Sequence, residues 1–294
     1  MARKLSESLI PAGFAGQIAR REGAPGRAWL DSLPELIRHF CRKWKLTIDG
    51  PARHGCVAMV LPVTRATDTA VLKLSWQDEE TFDESIALST WEGQGSVLLL
   101  ESDPSCVMLL ERLDAGRTLD GEPIGFAVET ASRLLRRLSV PTPGLRRTMR
   151  AEAARWAERL PDTWNRLGRP LDRATLDSAV DLCRELGPKA GTALVNEDLH
   201  YLNVLAGTRE PWLVIDPKPI TGDVEFAVIP LLWNRIEEST LDERFSAIVE
   251  VAALDAGLAR QWTLVRGVVN HLWAVGQHDE KFAATLLEIV RWAT

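Results

Sequence analysis

An α+β fold, with strands gathered in one part of the chain and helices in the rest, is what this 294-residue sequence predicts. Three observations carry that expectation. Short apolar runs bounded by turn residues fill the segment from about 46 to 112, apolar residues recur at helical spacing before and after it, and no internal repeat or low-complexity stretch breaks either pattern. The division falls near Asp114. It gives a lobe over 1–113, made of a helical extension and a small sheet, and a larger helical lobe over 114–294.

Residues 1 to about 45 read as helical, because Trp29, Leu33, Leu36, Ile37 and Phe40 lie at helical spacing, with Ser32 as a candidate cap. The stretch Gly50-Pro51-Ala52-Arg53-His54-Gly55-Cys56 then separates the first two strands. Residues 69–75 read as a buried strand carrying Lys73 in an apolar run, and an ammonium there costs free energy unless it finds a partner. The helical stripe over 78–91 offers one: Glu84 first, since Phe82 and Leu88 mark an inward side, and Glu80 second. Taken alone, Lys73 would more simply be an edge residue snorkelling to water. Strands over 97–100 and 106–110 follow, the second running into Glu111-Arg112-Leu113. Helices are expected over 126–138, 149–167 and 171–186, each closed by Gly or Pro, and again from Phe226 onward.

Composition narrows the function classes. A hydrophobic fraction of 46% supports a sizeable core, and a net charge of −6 argues against a nucleic-acid partner while suiting a cationic small molecule. Cys41, Cys56, Cys106 and Cys183 form no metal or redox pattern and read as reduced core thiols. No run of eighteen apolar residues occurs, and Met1-Ala2-Arg3-Lys4-Leu5 starts no apolar leader, so a cytoplasmic protein without a membrane segment is expected, with a monomer as the default state.

Chemistry concentrates in Asn196-Glu197-Asp198-Leu199-His200-Tyr201-Leu202-Asn203 and in Ile215-Asp216-Pro217-Lys218. Between them, Val204-Leu205-Ala206 and Trp212-Leu213-Val214-Ile215 read as two strands joined by a Gly207 to Pro211 turn, a hairpin that folds Asp216 back toward Asp198 and Asn203. Phosphoryl transfer to a hydroxyl needs a carboxylate to orient or accept the hydroxyl proton and oxygen ligands for Mg²⁺. Asp198 suits the first task; Asn203, five positions on, and Asp216 suit the second. An isolated D-x-x-x-x-N would be chance; joined to the hairpin, the second Asp and Lys73, it points to a kinase. His200 reads as a brace of the loop by hydrogen bonding, and the other histidines are scattered.

These segments, with Ala70-Val71-Leu72-Lys73-Leu74, Leu109-Leu110-Glu111-Arg112-Leu113 and Gly222-Asp223, resemble the aminoglycoside/hydroxyurea antibiotic-resistance kinases, and within them the streptomycin 6-phosphotransferases. The likeness runs from about Gly26 to the Trp262 region. It implies a two-lobed protein-kinase-like fold that uses ATP, with GTP open as an alternative, and Mg²⁺ to phosphorylate a small antibiotic hydroxyl. It also implies Asp198 as catalytic base, Asn203 and Asp216 as metal ligands, and Lys73, braced by Glu84, as the phosphate-binding lysine. By position, the Glu111 carbonyl and the Leu113 amide would meet the adenine edge. Two residues depart from the pattern: Asn196 stands where the family usually has His, and Leu202 where a polar residue often precedes the Asn.

The acceptor side is less legible. Asp223, Glu225, Glu237 and Glu238 follow Asp216 closely, and no more than two of them are expected to meet a cation. Among eleven Trp, Trp233, Trp262 and Trp273 lie in the helical C-terminal third, with packing as the first reading of each and stacking on a cation or sugar as the second. Asp223, Trp233 and Glu237 are therefore the candidate substrate residues. Neither G-x-x-x-x-G-K-[ST] nor G-x-G-x-x-G occurs, which leaves residues 50–56 as either a phosphate-covering loop or a plain hairpin turn. A kinase of another small hydroxyl compound, or a non-catalytic nucleotide- or drug-binding protein, stays open.

Overall fold

The computed structural model describes residues 9–142 and 144–294; the Met1 to Leu5 leader reading lies outside them. The chain forms two compact units, one running to Gly93 and resuming over Val97–Leu113, the other comprising Gln94–Ser96 and Asp114–Thr294. The three residues that leave the first stretch do so for a reason. Val214 N–H donates to the Gly95 carbonyl, Gly95 N–H donates to Glu210 Oε1, and Arg209 Nη2 donates to the Ser96 carbonyl, so this segment is laced into the second unit.

The first unit holds helix α1 (Ala12–Lys43), strands β1 (Thr47–Ile48), β2 (Arg53–His54), β3 (Ala58–Arg65) and β4 (Asp68–Ser75), helix α2 (Glu84–Trp91), and strands β5 (Leu99–Asp103) and β6 (Val107–Glu111). Every pairing is antiparallel, in the order β1-β3-β4-β6-β5 with β2 also on β3. β4 lies between β3 and β6, which explains its nearly continuous apolar run. α1 is kinked at Gly23, whose φ of 63° is a conformation that glycine adopts without steric cost. Phe14 and Ile18 before the kink, and Leu33, Ile37 and Phe40 after it, pack with Met59, Leu61, Leu72 and Leu109 into one core. Ser32 is no cap: it sits inside α1, and its hydroxyl donates to the Trp29 carbonyl.

Local hydrogen bonding trims other sequence boundaries. α2 starts at Glu84 rather than Asp78 because the Asp78 carboxylate takes the N–H groups of Glu80 and Thr81, offering the backbone a turn instead of a helix. The strands expected over 97–100 and 106–110 slide to β5 and β6, with an irregularity between Leu99 and Glu101. Cys106 and Cys183 are buried as expected, but Cys56 is exposed and Cys41 only half-buried. Cys56 sits in the short connection between β2 and β3, where there is no core to enter.

The second unit carries two small three-stranded sheets in a helical frame. β7 (Asp114–Thr118), β10 (Val204–Ala206) and β11 (Trp212–Val214) form one; β8 (Val140–Pro141), β9 (Ala193–Asn196) and β12 (Pro219–Gly222) form the other. The helices are α3 (Ile124–Leu138), α4 (Met149–Arg166), α5 (Arg173–Leu186), α6 (Ile229–Trp233), α7 (Leu241–Ala252), α8 (Ala256–Gly276) and α9 (Glu280–Ala293). α5 begins after Asp172, not at Leu171, because the Asp172 side chain accepts from Thr175 N–H as its cap. Thr240 and Glu243 form a full capping box on α7. α4, α5, α8 and α9 share a core built on Leu160, Trp164, Leu176, Val268 and Leu272. A Cβ at Gly222 would fall 1.9 Å from Met149 Sδ, so a larger residue there would require the Met149 side chain to move.

Candidate active site

β9 delivers the loop that bears Asp198, and β10, β11 and their turn bring the chain back, as the sequence expects. The return is anchored by Ile215 N–H donating to the Asn203 carbonyl at 2.8 Å. Asp216 follows with φ of 50°, a left-handed conformation that Asp tolerates better than most side chains. Asn203 lies in a single 3₁₀ turn over Tyr201–Asn203, and its Nδ2 donates to the Asp198 carbonyl at 3.2 Å. That bond commits the amide nitrogen and turns the amide oxygen away from it. Asp198, Asn203 and Asp216 thus come together.

The electrostatics are those of a crowded acidic centre. Burial pushes the Asp198 carboxyl above the usual carboxylate range; Lys218 and His200 pull it back, while Asp216 and Glu197 push it further up. Lys218 Nζ is 3.5 Å from Asp198 Oδ2. Burial also lowers the His200 imidazole, outweighing the nearby carboxylates Asp198 and Asp216. His200 Nε2 stands 3.9 Å from Asp198 Oδ1, beyond hydrogen-bond length, and Nδ1 has no partner among the described residues. The bracing assigned to His200 is done elsewhere. Asn196 Oδ1 accepts from the N–H groups of both Asp198 and Lys218, at 3.1 Å each.

Several supports were invisible to motif reading. On α8, buried Arg266 donates to the carbonyls of Glu197 and Phe226, both at 3.0 Å, with its guanidinium over the Phe226 ring. Arg147 pairs with Glu197 Oε1 at 2.5 Å. Tyr201, its phenol pushed up to about 12 by burial, donates to the Leu231 carbonyl. Arg244 gathers the carbonyls of Leu231, Leu232, Asn234 and Arg235. One signal could have revealed Arg266: it interrupts an apolar helical run just as Lys73 interrupts an apolar strand.

In the first unit, Lys73 on β4 and Glu84 at the start of α2 meet at 2.5 Å, with side chains 4% and 2% exposed. Glu84 lies in the first helical turn, where the helix dipole favours a carboxylate; Glu80, the second choice, lies in the preceding turn. Glu111 closes β6 opposite Ala70, and its carboxylate accepts from Leu98 N–H. Between it and Leu113, Arg112 is tied to the carbonyls of Ala70 and Val63 and to Asp49.

The acceptor candidates separate. Asp223 is used by the scaffold: Oδ1 accepts from Gly191 N–H at 2.7 Å and Oδ2 from the Trp262 indole at 2.8 Å. Trp233 is half-buried against Phe282, and Glu237 is exposed in the turn that follows α6. Trp262 is core at 0% exposure, while Trp273 is 57% exposed. Leu202, 52% exposed, stands at the surface beside Asn203.

Oxygen donors are the right chemistry for Mg²⁺, which typically takes one or two protein ligands and completes its shell with phosphate oxygens and water. The Asp216 carboxylate and the Asn203 amide oxygen fit that pattern. Among the described residues no group of three or more His, Cys, Asp or Glu side chains could hold a metal by itself.

The family model of aminoglycoside/hydroxyurea antibiotic resistance kinases matches residues 43–277. The chain belongs to that family. It is a small-molecule kinase, 43% identical over 272 residues to the hydroxyurea phosphotransferase of Kitasatospora aureofaciens, spanning 90% of this chain and 80% of that one. The streptomycin 6-kinase of Streptomyces griseus is 41% identical over 281 residues, covering 90% and 91%. Among solved structures, the choline kinase LicA from Streptococcus pneumoniae shares the protein-kinase-like fold with TM-score 0.62 at 14% identity, over 89% of this kinase and 97% of that chain. Structures of this fold have been solved with ADP, AMP-PNP or AMP. α1 lies almost wholly before the family match, yet it supplies a large part of the first unit's core.

Proposed function

We propose that this kinase transfers the γ-phosphoryl group of ATP, with Mg²⁺, to a hydroxyl of an aminoglycoside, streptomycin first, and so confers resistance in the cytoplasm as a monomer. The observation that carries the chemistry is the convergence of Asp198, Asn203 and Asp216 on one braced loop pair. The acceptor hydroxyl oxygen would attack the γ-phosphorus as the bond to the ADP oxygen breaks, and its proton would pass to Asp198 Oδ. Lys218, 3.5 Å from that carboxylate, would help hold it ionised. Asn203 and Asp216 would hold Mg²⁺, which when bound neutralises phosphate charge. Lys73 would bind the α/β-phosphates with Glu84 holding its ammonium in place. The Glu111 carbonyl and Leu113 amide are proposed for the adenine edge. Positioning and charge neutralisation supply the rate.

Streptomycin is favoured by the streptomycin 6-kinase relatives, one of which matches 96% of this chain, and by a net charge of −6, which suits a guanidinium-bearing acceptor. Trp233 and Glu237 are the proposed contacts. A second reading, hydroxyurea as acceptor, rests on the relative that is 43% identical. The test is coupled ADP release from purified protein with Mg-ATP across streptomycin, other aminoglycosides, hydroxyurea and amino sugars. Turnover with streptomycin supports the first reading, turnover with hydroxyurea alone the second, and silence across the panel removes both.

A further inference from the structure

We infer that Asn196 is a positioning residue that couples the catalytic loop to the Asp216 loop through a single oxygen atom. This rests on the kinase reading above and deepens it. β9 and β12 pair with Asn196 opposite Pro219, so the next rung outward is Glu197 opposite Lys218. A continued antiparallel ladder would exchange two bonds there, one in each direction. Only one is made, from Glu197 N–H to the Lys218 carbonyl at 3.0 Å.

The other half of the rung is opened and its two groups are claimed by side chains. Lys218 N–H donates to Asn196 Oδ1 at 3.1 Å, and the Glu197 carbonyl accepts from Arg266 Nη2 at 3.0 Å. The same Asn196 oxygen also accepts from Asp198 N–H at 3.1 Å. The strands can therefore part, one becoming the loop of Asp198 and the other the loop of Asp216, while one atom sets the spacing between them. Asn196 is 3% exposed, and its Nδ2 has no partner among the described residues, so the oxygen is the side chain's hydrogen-bonding contribution. The amide's orientation follows from its neighbours: flipped, its NH₂ would face two N–H donors.

A carbonyl oxygen has two lone pairs and can accept both N–H groups at once, whereas a neutral imidazole has one acceptor nitrogen with a single in-plane lone pair. Asn196→His should therefore lose one of the two bonds. Asn196→Ala should lose both.

The test is site-resolved amide hydrogen exchange of Asp198 and Lys218, with steady-state kinetics and the Mg²⁺ concentration for half-maximal stabilisation by a non-hydrolysable ATP analogue. Both amides should be protected in the unaltered chain; exchange should rise by about tenfold or more at one of them in Asn196→His and at both in Asn196→Ala. kcat should fall by roughly 10- to 100-fold, the range expected for a misplaced reacting group, with the acceptor KM within about twofold. The Mg²⁺ requirement should rise in both variants, which general destabilisation would not produce. Open exchange of either amide in the unaltered chain overturns the inference even if a variant fails to fold, as does an Asn196→His protein with both amides protected and full kcat. The expected exchange pattern in a chain that turns over no acceptor would leave the coupling standing and remove the substrate reading instead.

Discussion

Lys73 and Asp198 are held in place by opposite means. Lys73 projects from a central strand to Glu84 on a helix, so regular backbone geometry places both charges and their burial does the rest. Asp198 belongs to no strand or helix; its loop is secured by the Asn196 oxygen, the Asn203 amide and the Arg266 guanidinium. The difference teaches where each site is vulnerable. A pair built on secondary structure should fail through stability, and a loop built from side-chain bonds should fail through chemistry.

The largest expected effect tests the loop. Asp198→Ala should lower turnover by about 10²- to 10⁴-fold, the usual worth of a positioned acid or base. Its thermal melting and ATP-analogue binding should stay close to those of the parent; turnover within tenfold of the parent would remove Asp198 from its role. The buried pair comes next. Lys73→Met and Glu84→Gln, each breaking the buried ion pair, should cost roughly 3–5 kcal/mol in urea unfolding. Joint replacement by Met and Leu should restore most of that stability and none of the turnover. A double variant as unstable as the singles would mean the pair holds the unit together rather than serving the nucleotide.

Arg266 sharpens the comparison because it is a buried charge placed by a helix yet spent on the loop. Arg266→Met leaves the Glu197 and Phe226 carbonyls without a charged donor and should cost about 2–4 kcal/mol, with a larger loss in kcat than in KM. Arg266→Lys should recover part of the stability but not the two-carbonyl geometry. The smallest effect belongs to the Lys43–Asp103 pair, which together with the Ser105 hydroxyl and N–H drives the Asp103 carboxyl down from 3.8 to about 2. Lys43→Met should cost about 0.2–1 kcal/mol near neutral pH. Because the folded pKa is the lower one, that contribution is present above the ordinary carboxylate pKa and fades as pH falls toward 2, where the two proteins should melt alike.

Legibility in the sequence followed local chemistry. Lys73 was readable because a charge in an apolar strand demands a partner, and Glu84 because it falls on the inward side of the next helical stripe. The candidate residues Asp198, Asn203 and Asp216 were readable from spacing, and the hairpin between them from turn residues. β7, β8, β9 and β12 were not, since each is short and its apolar pattern is too brief to show a period. Asp223 drew attention for its charge and neighbourhood, and the Trp262 indole and Gly191 N–H from which its carboxylate accepts lie 39 and 32 residues away. Ser32 failed as a cap, and Asp78 shortened a helix, because hydrogen bonds that compete with helix formation depend on geometry rather than composition.

By itself, the sequence determined the α+β class, the separation of strand-rich and helix-rich parts, and the spacing of the candidate residues Asp198, Asn203 and Asp216, because periodicity, turn residues and motif spacing are properties of neighbouring positions. Tertiary structure alone decided what holds the loops of Asp198 and Asp216. That Asn196 bridges two loops, that Arg266 reaches the Glu197 carbonyl from 69 residues away, and that residues 94–96 join the second unit depend on which distant polar groups must satisfy one another once water is excluded. Such pairings are set by the packed fold and leave no mark on the local pattern.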